Sequence, residues 1–211
     1  MKKLFILLSI SIVLGACGKK TSDSDQQAES TPQYKLNLHN ANLQWEAYKF
    51  TERKGVKGSF DSIVYEQAVD TGSMEELISG LGFEIHTASV NSGDEIRDPK
   101  IITHFFGSML SSEVIHGKIS SFEMTSDFEA AVNVDITMND KTVSVPSTIQ
   151  FLDAVVQLKT VIDLAQWEAA PAVDSLNRVC EDLHKGSDGL SKLWPDVAIT
   201  VNTTRTELVA D

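Results

Sequence analysis

From Leu36 onward the chain alternates between apolar and polar positions. Phe128, Ala130, Val132, Val134, Ile136 and Met138 are interleaved with Glu129, Ala131, Asn133, Asp135 and Thr137. That puts apolar groups on one side of an extended segment and mostly polar ones on the other, the pattern of a strand with one face in a core. Asn139-Asp140 interrupts it as a turn, and Val143, Val145, Ser147, Ile149 and Phe151 resume it, which predicts a hairpin. The same period runs through Ala154, Val156, Leu158, Thr160, Ile162 and Leu164, set against Gln157, Lys159 and Asp163. Shorter alternations occur at Leu43-Trp45-Ala47, Leu81-Phe83-Ile85 and Val197-Ile199-Val201. Strands joined by short turns, with little helix between them, predict antiparallel pairing in a sandwich or a closed barrel.

One stretch changes period. Between Glu168 and His184, the residues Ala172, Val173, Leu176, Val179, Cys180 and Leu183 fall at helical spacing, with Pro171 near the start and Gly186 just past the end. This predicts one C-terminal amphipathic helix before the last strand. Its apolar stripe has to rest on the sheet or plug one of its ends, because an isolated helix of this length is marginal in water. Glu75 to Gly80 suggests a second, shorter helix. Asp94 to Ser111 reads as a loop with helical turns, opened by Asp98-Pro99 and docked by Phe105-Phe106.

The front of the chain obeys a different rule. Two lysines precede an apolar run from Leu4 to Leu14, about half the roughly 20 residues that a spanning helix needs, so residues 1–16 read as an export signal. Leu14-Gly15-Ala16-Cys17 looks like a lipobox, whose processing leaves an acylated Cys17 as the new N-terminus; a plain signal peptide with an incidental cysteine is the alternative. Acyl chains on Cys17 would hold the protein to a membrane of the bacterial cell envelope, with the outer membrane, facing the periplasm or the surface, as the expected site. Residues 17–33 are then the acylated cysteine and a flexible linker, too polar to offset their own ordering entropy. Residues 34–211 remain for one domain with a sizeable core.

Charge and residue chemistry narrow the function. The formal net charge is −12, and removal of Lys2 and Lys3 takes it to −14, which argues against nucleic acid as a partner. With Cys17 acylated, Cys180 is the one thiol left, so neither an intrachain disulfide nor a cysteine-based metal cluster is expected. His39, His86, His104, His116 and His184 are scattered, with no pair at a metal-binding helical spacing. No nucleophile elbow, phosphate loop or dinucleotide fingerprint is present, and Cys180 falls on an apolar helical stripe where an inert buried thiol is the default. The expectation is a protein that is not an enzyme, with no metal and no cofactor.

The ordered set of short motifs resembles the YceI-like family. Trp45-Glu46-Ala47-Tyr48-Lys49-Phe50 followed by Gly55-Val56-Lys57-Gly58-Ser59-Phe60 is similar to that family's first hairpin. Ala88-Ser89-Val90-Asn91-Ser92, then Arg97-Asp98 and Phe105-Phe106, resemble its strand end, its Arg-Asp pair and its double phenylalanine. Leu176-Asn177, Cys180, Leu183-His184, Gly186, Asp188-Gly189 and Trp194 look like the C-terminal part of a lipoprotein branch. Two departures stand out: Asn139-Asp140 where the family is expected to carry glycine, and Asn37-Leu38-His39-Asn40 in place of an Asp-x-x-His-Ser opening.

The resemblance implies a mainly β fold, a closed antiparallel lipocalin-like barrel of about eight strands around an apolar lumen that holds an isoprenoid or other long-chain lipid. The implied ligand-binding residues of the lumen are Trp45, Phe60, Phe83, Ile85, Val132, Val134, Ile136, Leu158 and Ile162. Arg97, Phe105 and Phe106 are expected at the mouth, where the guanidinium would meet an anionic head or pair with a nearby carboxylate. Alternation alone leaves two readings of the apolar face: a lumen with a lipid guest, or a solid barrel serving as a structural or protein-interaction module of the envelope. The protein partner of the second reading is unknown.

Overall fold

The computed structural model describes residues 31–209, and Cys17 and the signal and most of the linker assigned above lie outside them. Eleven strands form one curled sheet: β1 (Gln33–Leu36), β2 (Asn42–Lys49), β3 (Lys54–Phe60), β4 (Ile63–Glu66), β5 (Gly82–His86), β6 (Val90–Asn91), β7 (Val114–Ser126), β8 (Glu129–Met138), β9 (Lys141–Leu152), β10 (Val155–Asp163) and β11 (Leu193–Leu208). All pairings are antiparallel, in the order β4-β5-β7-β8-β9-β10-β11-β2-β3-β6, with β1 added against the far end of β11.

Eleven strands stand where the sequence suggests about eight, and the reason is local. β3 and β4 are separated only by Asp61 and Ser62, and β5 and β6 only by a 3-10 turn at Thr87–Ser89. Asp61 N donates to Ser89 O at 2.9 Å and His86 N to Ser62 O at 3.1 Å, so the two interruptions face each other. Ser62 N donates to Ser89 Oγ at 3.0 Å, and that hydroxyl donates in turn to His86 O at 2.7 Å.

The hairpin expected around Asn139-Asp140 forms with Met138 opposite Lys141, and both turn residues adopt positive φ, 52° and 56°. That is the two-residue turn whose twist matches a right-twisted ribbon, and asparagine and aspartate tolerate it without glycine. Asn139 does more than turn the chain: its Oδ1 accepts from Leu110 N at 2.8 Å and its Nδ2 donates to Trp167 O at 2.8 Å. Phe128, assigned above to the apolar face of β8, instead precedes the strand and is 70% exposed.

Three helices serve the sheet. α1 (Met74–Ile78) carries a capping box in which Ser73 and Glu76 satisfy each other's backbone donors, and it buries Met74, Leu77 and Ile78. α2 (Asp98–Lys100) continues through a π turn at Ile101–Phe105 into a 3-10 turn at Phe106–Ser108. α3 (Ala170–Val179) is shorter than expected, stopping before Cys180 and followed by a 3-10 turn at Glu181–Leu183; Cys180 is a buried free thiol. α3 and the α2 segment pack together at the end of the sheet that carries the Asn139-Asp140 turn. Trp167, fully buried, closes the gap there and donates its indole N–H to Ile136 O at 3.0 Å.

Asn139→Ala should lower stability by about 1–3 kcal/mol, since it removes two hydrogen bonds and a residue type suited to positive φ. Denaturant melts of the two proteins check this; an unchanged midpoint would mean that the turn is held by the strands alone.

Candidate functional site

The inward stripes of the strands do not meet. They border an interior void of about 280 Å³. An engineered cavity of roughly 150 Å³ lined by Leu, Ile and Phe stays dry and takes up an apolar guest, so this larger one has the size and chemistry for a hydrocarbon. Successive cross-strand pairs build the wall, each placing two inward residues side by side: Ile149 with Leu158, Leu158 with Val201, Ile199 with Trp45, and Ile85 with Ile115.

Eight of the nine residues assigned to the lumen border the void: Trp45, Phe60, Phe83, Ile85, Val134, Ile136, Leu158 and Ile162. Val132, only 3% exposed, belongs to a packed cluster with Ile119 and Ile149 and does not reach it. Phe105 and Phe106 are on the wall, and their rings form a stack with Phe60: centroids lie 5.0 Å apart for Phe105–Phe106, edge-on, and 6.1 Å for Phe60–Phe106. Arg97 is not on the wall; its guanidinium pairs with Asp94 at 3.1 Å and not with the adjacent Asp98. The structure adds Ile63 and Tyr65 of β4 and Ile115 and Ile119 of β7.

Two glycines keep the void open. Gly58 faces Trp45 across β2 and β3, and Gly117 faces Phe83 across β5 and β7. A Cβ on Gly58 would stand 2.2 Å from the indole, and one on Gly117 1.9 Å from the Phe83 ring. Each ring therefore lies down over the bare backbone of the facing strand, along the wall and not across the space.

Four polar side chains on the wall spend their donors on the backbone. Thr160 Oγ1 donates to Pro146 O at 3.1 Å, Thr203 Oγ1 to Asn37 O at 2.7 Å, Trp45 Nε1 to Ser59 O at 3.1 Å and Trp194 Nε1 to Phe50 O at 2.7 Å. Tyr65 is different: its hydroxyl is buried without a partner, and burial pushes its pKa up. Among the described residues no group of three His, Cys, Asp or Glu side chains comes together.

Behind the helical end sits His184, buried and paired through Nδ1 with Asn177 Oδ1 at 3.0 Å. Asn177 Oδ1 also accepts from Ser191 Oγ at 3.1 Å. Burial, and after it the positive charges of Lys49, Lys100 and Arg97, pull its pKa from 6.5 to about 4.

Fold and void together define a mainly β protein whose curled antiparallel sheet borders an apolar, ligand-sized space. The YceI-like domain family matches residues 34–204, and the chain belongs to that family. No curated protein matches it. Solved structures do. A polyisoprenoid binding domain from Saccharophagus degradans, implicated in plant cell wall breakdown, is 13% identical with a TM-score of 0.57, over 83% of this chain and 98% of that one. BcnA of Burkholderia cenocepacia is 13% identical with a TM-score of 0.55, over 81% and 99%. A mutant YceI protein of Campylobacter jejuni is 14% identical with a TM-score of 0.56, over 77% and 90%. At these identities the likeness is one of fold.

His184 has a consequence for pH. Its folded pKa is depressed, so as pH falls from about 6.5 toward 4 the unfolded chain binds a proton that the folded chain refuses, and stability drops through that window. His184→Gln should flatten the drop. Thermal melts of both proteins across the window measure the difference, and parallel curves would show that the imidazole titrates freely in the fold.

Proposed function

We propose that this protein binds one apolar chain, of isoprenoid or similar long-chain type, in the interior void, and serves as a carrier or reservoir for it in the bacterial cell envelope. The observation that carries the reading is the void itself, about 280 Å³ with hydrocarbon walls. The polyisoprenoid-binding description of the Saccharophagus relative supports the ligand class. Counting β3 with β4, and β5 with β6, as single interrupted staves, and leaving out β1, which lies off the main strand order, gives eight strands, and the facing hydrogen bonds at Asp61–Ser89 and His86–Ser62 support reading them as a barrel. Eight is the strand number whose interior is just wide enough to hold one small ligand.

Binding of this kind needs no catalytic group. Each buried methylene contributes about 0.8 kcal/mol, so ten carbons supply about 8 kcal/mol before the ordering costs of association. In this reading the protein is a binder and not an enzyme. Acylation of Cys17 would keep it at the membrane from which such chains come, with the linker as a leash, and the lipobox-like Leu14-Gly15-Ala16-Cys17 supports that part.

Two experiments test the reading. Mass spectrometry of an organic extract from natively purified protein should recover an apolar lipid near one per chain, or apo protein should take up added isoprenoid; a blank result in both would sink it. Leu158→Trp should abolish uptake with the melting temperature held or raised, because the larger side chain enters empty space. In a solid barrel the same change would overpack the core and cost about 1–3 kcal/mol.

A further inference from the structure

The hydrocarbon wall changes character at the end that carries α3. On β2 Leu43, Trp45, Ala47 and Tyr48 border the void, and past a bulge in the pairing with β11 the stripe ends at Lys49, paired with Leu193, which borders the void too. On the helical segment after β6, Ile101 and Phe105 border the void, and one turn before Ile101 stands Arg97. Two apolar stripes, on unrelated elements, thus each end in a cation.

The cations converge. Lys49 Nζ donates to Leu183 O at 3.1 Å, which sets it beside His184, and Lys100 follows Arg97 on the same helical segment. His184 feels the charges of Lys49, Lys100 and Arg97 together, and Lys49 is lowered by its own burial and then by Arg97 and Lys54. Two acidic groups of that segment are already engaged, Asp94 with Arg97 at 3.1 Å and Asp98 with the backbone N–H and hydroxyl of Ser92 at 2.9 and 2.5 Å, while Glu95 is exposed. Among the described residues, neither Lys49 nor Lys100 has a carboxylate within 4.0 Å. In a chain with 30 acidic and 18 basic residues, Lys49 and Lys100 thus stand at the end of the apolar stripes with no carboxylate bound to either ammonium.

We propose that Lys49, Lys100 and Arg97 form a head-group site, and that the guest is an amphiphile with an anionic oxygen head, phosphate or carboxylate, whose chain fills the void. This rests on the reading that the void holds an apolar chain. Loss of charge-assisted hydrogen bonds to such a head costs about tenfold or more in affinity.

The test uses farnesyl phosphate, farnesol and inorganic phosphate as probes of the full folded domain. Farnesyl phosphate should bind at least about tenfold tighter than farnesol, with a gap that shrinks as salt rises and closes in Lys49→Gln/Lys100→Gln. Farnesol binding by that variant serves as the check that its fold and void are intact; if the variant fails to fold, the salt dependence of the gap in the unmutated protein decides alone. Equal binding of the two probes, or a gap that survives high salt, would overturn the head-group site while leaving chain binding in place. Failure of both farnesyl probes to bind would overturn the chain-binding reading and this inference with it. Inorganic phosphate alone binding as tightly as farnesyl phosphate would show an anion site with no amphiphile.

Discussion

The structure depends on a gap that its own side chains do not close. Apolar residues at every second position would normally interlock across a curled sheet. Here they leave about 280 Å³ unfilled. At roughly 24 cal/mol per Å³, an empty void of that volume costs on the order of 7 kcal/mol, comparable with the whole net stability of a domain, about 5–15 kcal/mol. A wall that supports such a space has to resist collapse. Cross-strand hydrogen bonding from β7 through β11 to β2, bulged between β7 and β8 and between β11 and β2, supplies the stiffness, and the helices stiffen the end where α3 and Trp167 sit.

Two bulky wall residues show how collapse is avoided. Trp45 and Phe83 have the reach to cross the interior, yet each is opposite a glycine and lies flat on the neighbouring strand. A side chain at either glycine would lift the ring toward the centre. Polar wall atoms are likewise spent on the backbone behind them, so the surface presented inward is hydrocarbon. Tyr65 departs from this rule: its buried, unpartnered hydroxyl is a local cost that the backbone does not offset.

Alternation made the long strands β8, β9 and β10 legible, as did the period of 3.6 for α3 and the turn at Asn139-Asp140. β7 was harder, because Gly117 occupies an apolar slot and register shifts after Ile119 and Met124 move the phase partway along. Even so, Ile115 and Ile119 on either side of that glycine, separated by His116 and Lys118, were a readable signal. Strand count was obscured by the breaks at Asp61-Ser62 and Thr87–Ser89, which follow from local hydrogen bonding and not from composition. Val132 and Val134 are identical to any period-two reading and pack in the same cluster, yet only Val134 also borders the void. What separates them is their place along the sheet, Val132 beside Phe122 and Val134 beside the void-lining Ile119, and no local pattern encodes that. Lys49 went unread for the opposite reason: a charge ending an apolar stripe looks like a strand reaching solvent, and its company of Arg97 and Lys100 comes from segments about fifty residues away.

A wall of this composition can hold a guest but cannot choose one. Burial of apolar area is non-directional and scales with the surface removed from water, so every slender hydrocarbon chain of similar length gains about the same. Discrimination has to come from fixed dipoles and charges, and around this void those are the unpartnered Tyr65 hydroxyl on the wall and the cations at the α3 end. The two ends are unlike: one has α1 and the short β1, the other α3, Trp167 and the lysines. An uncharged chain would enter such a space in either sense. A chain with one charged terminus would enter in one sense only, because the reverse orientation buries that charge among hydrocarbon at a cost of several kcal/mol, far above thermal energy.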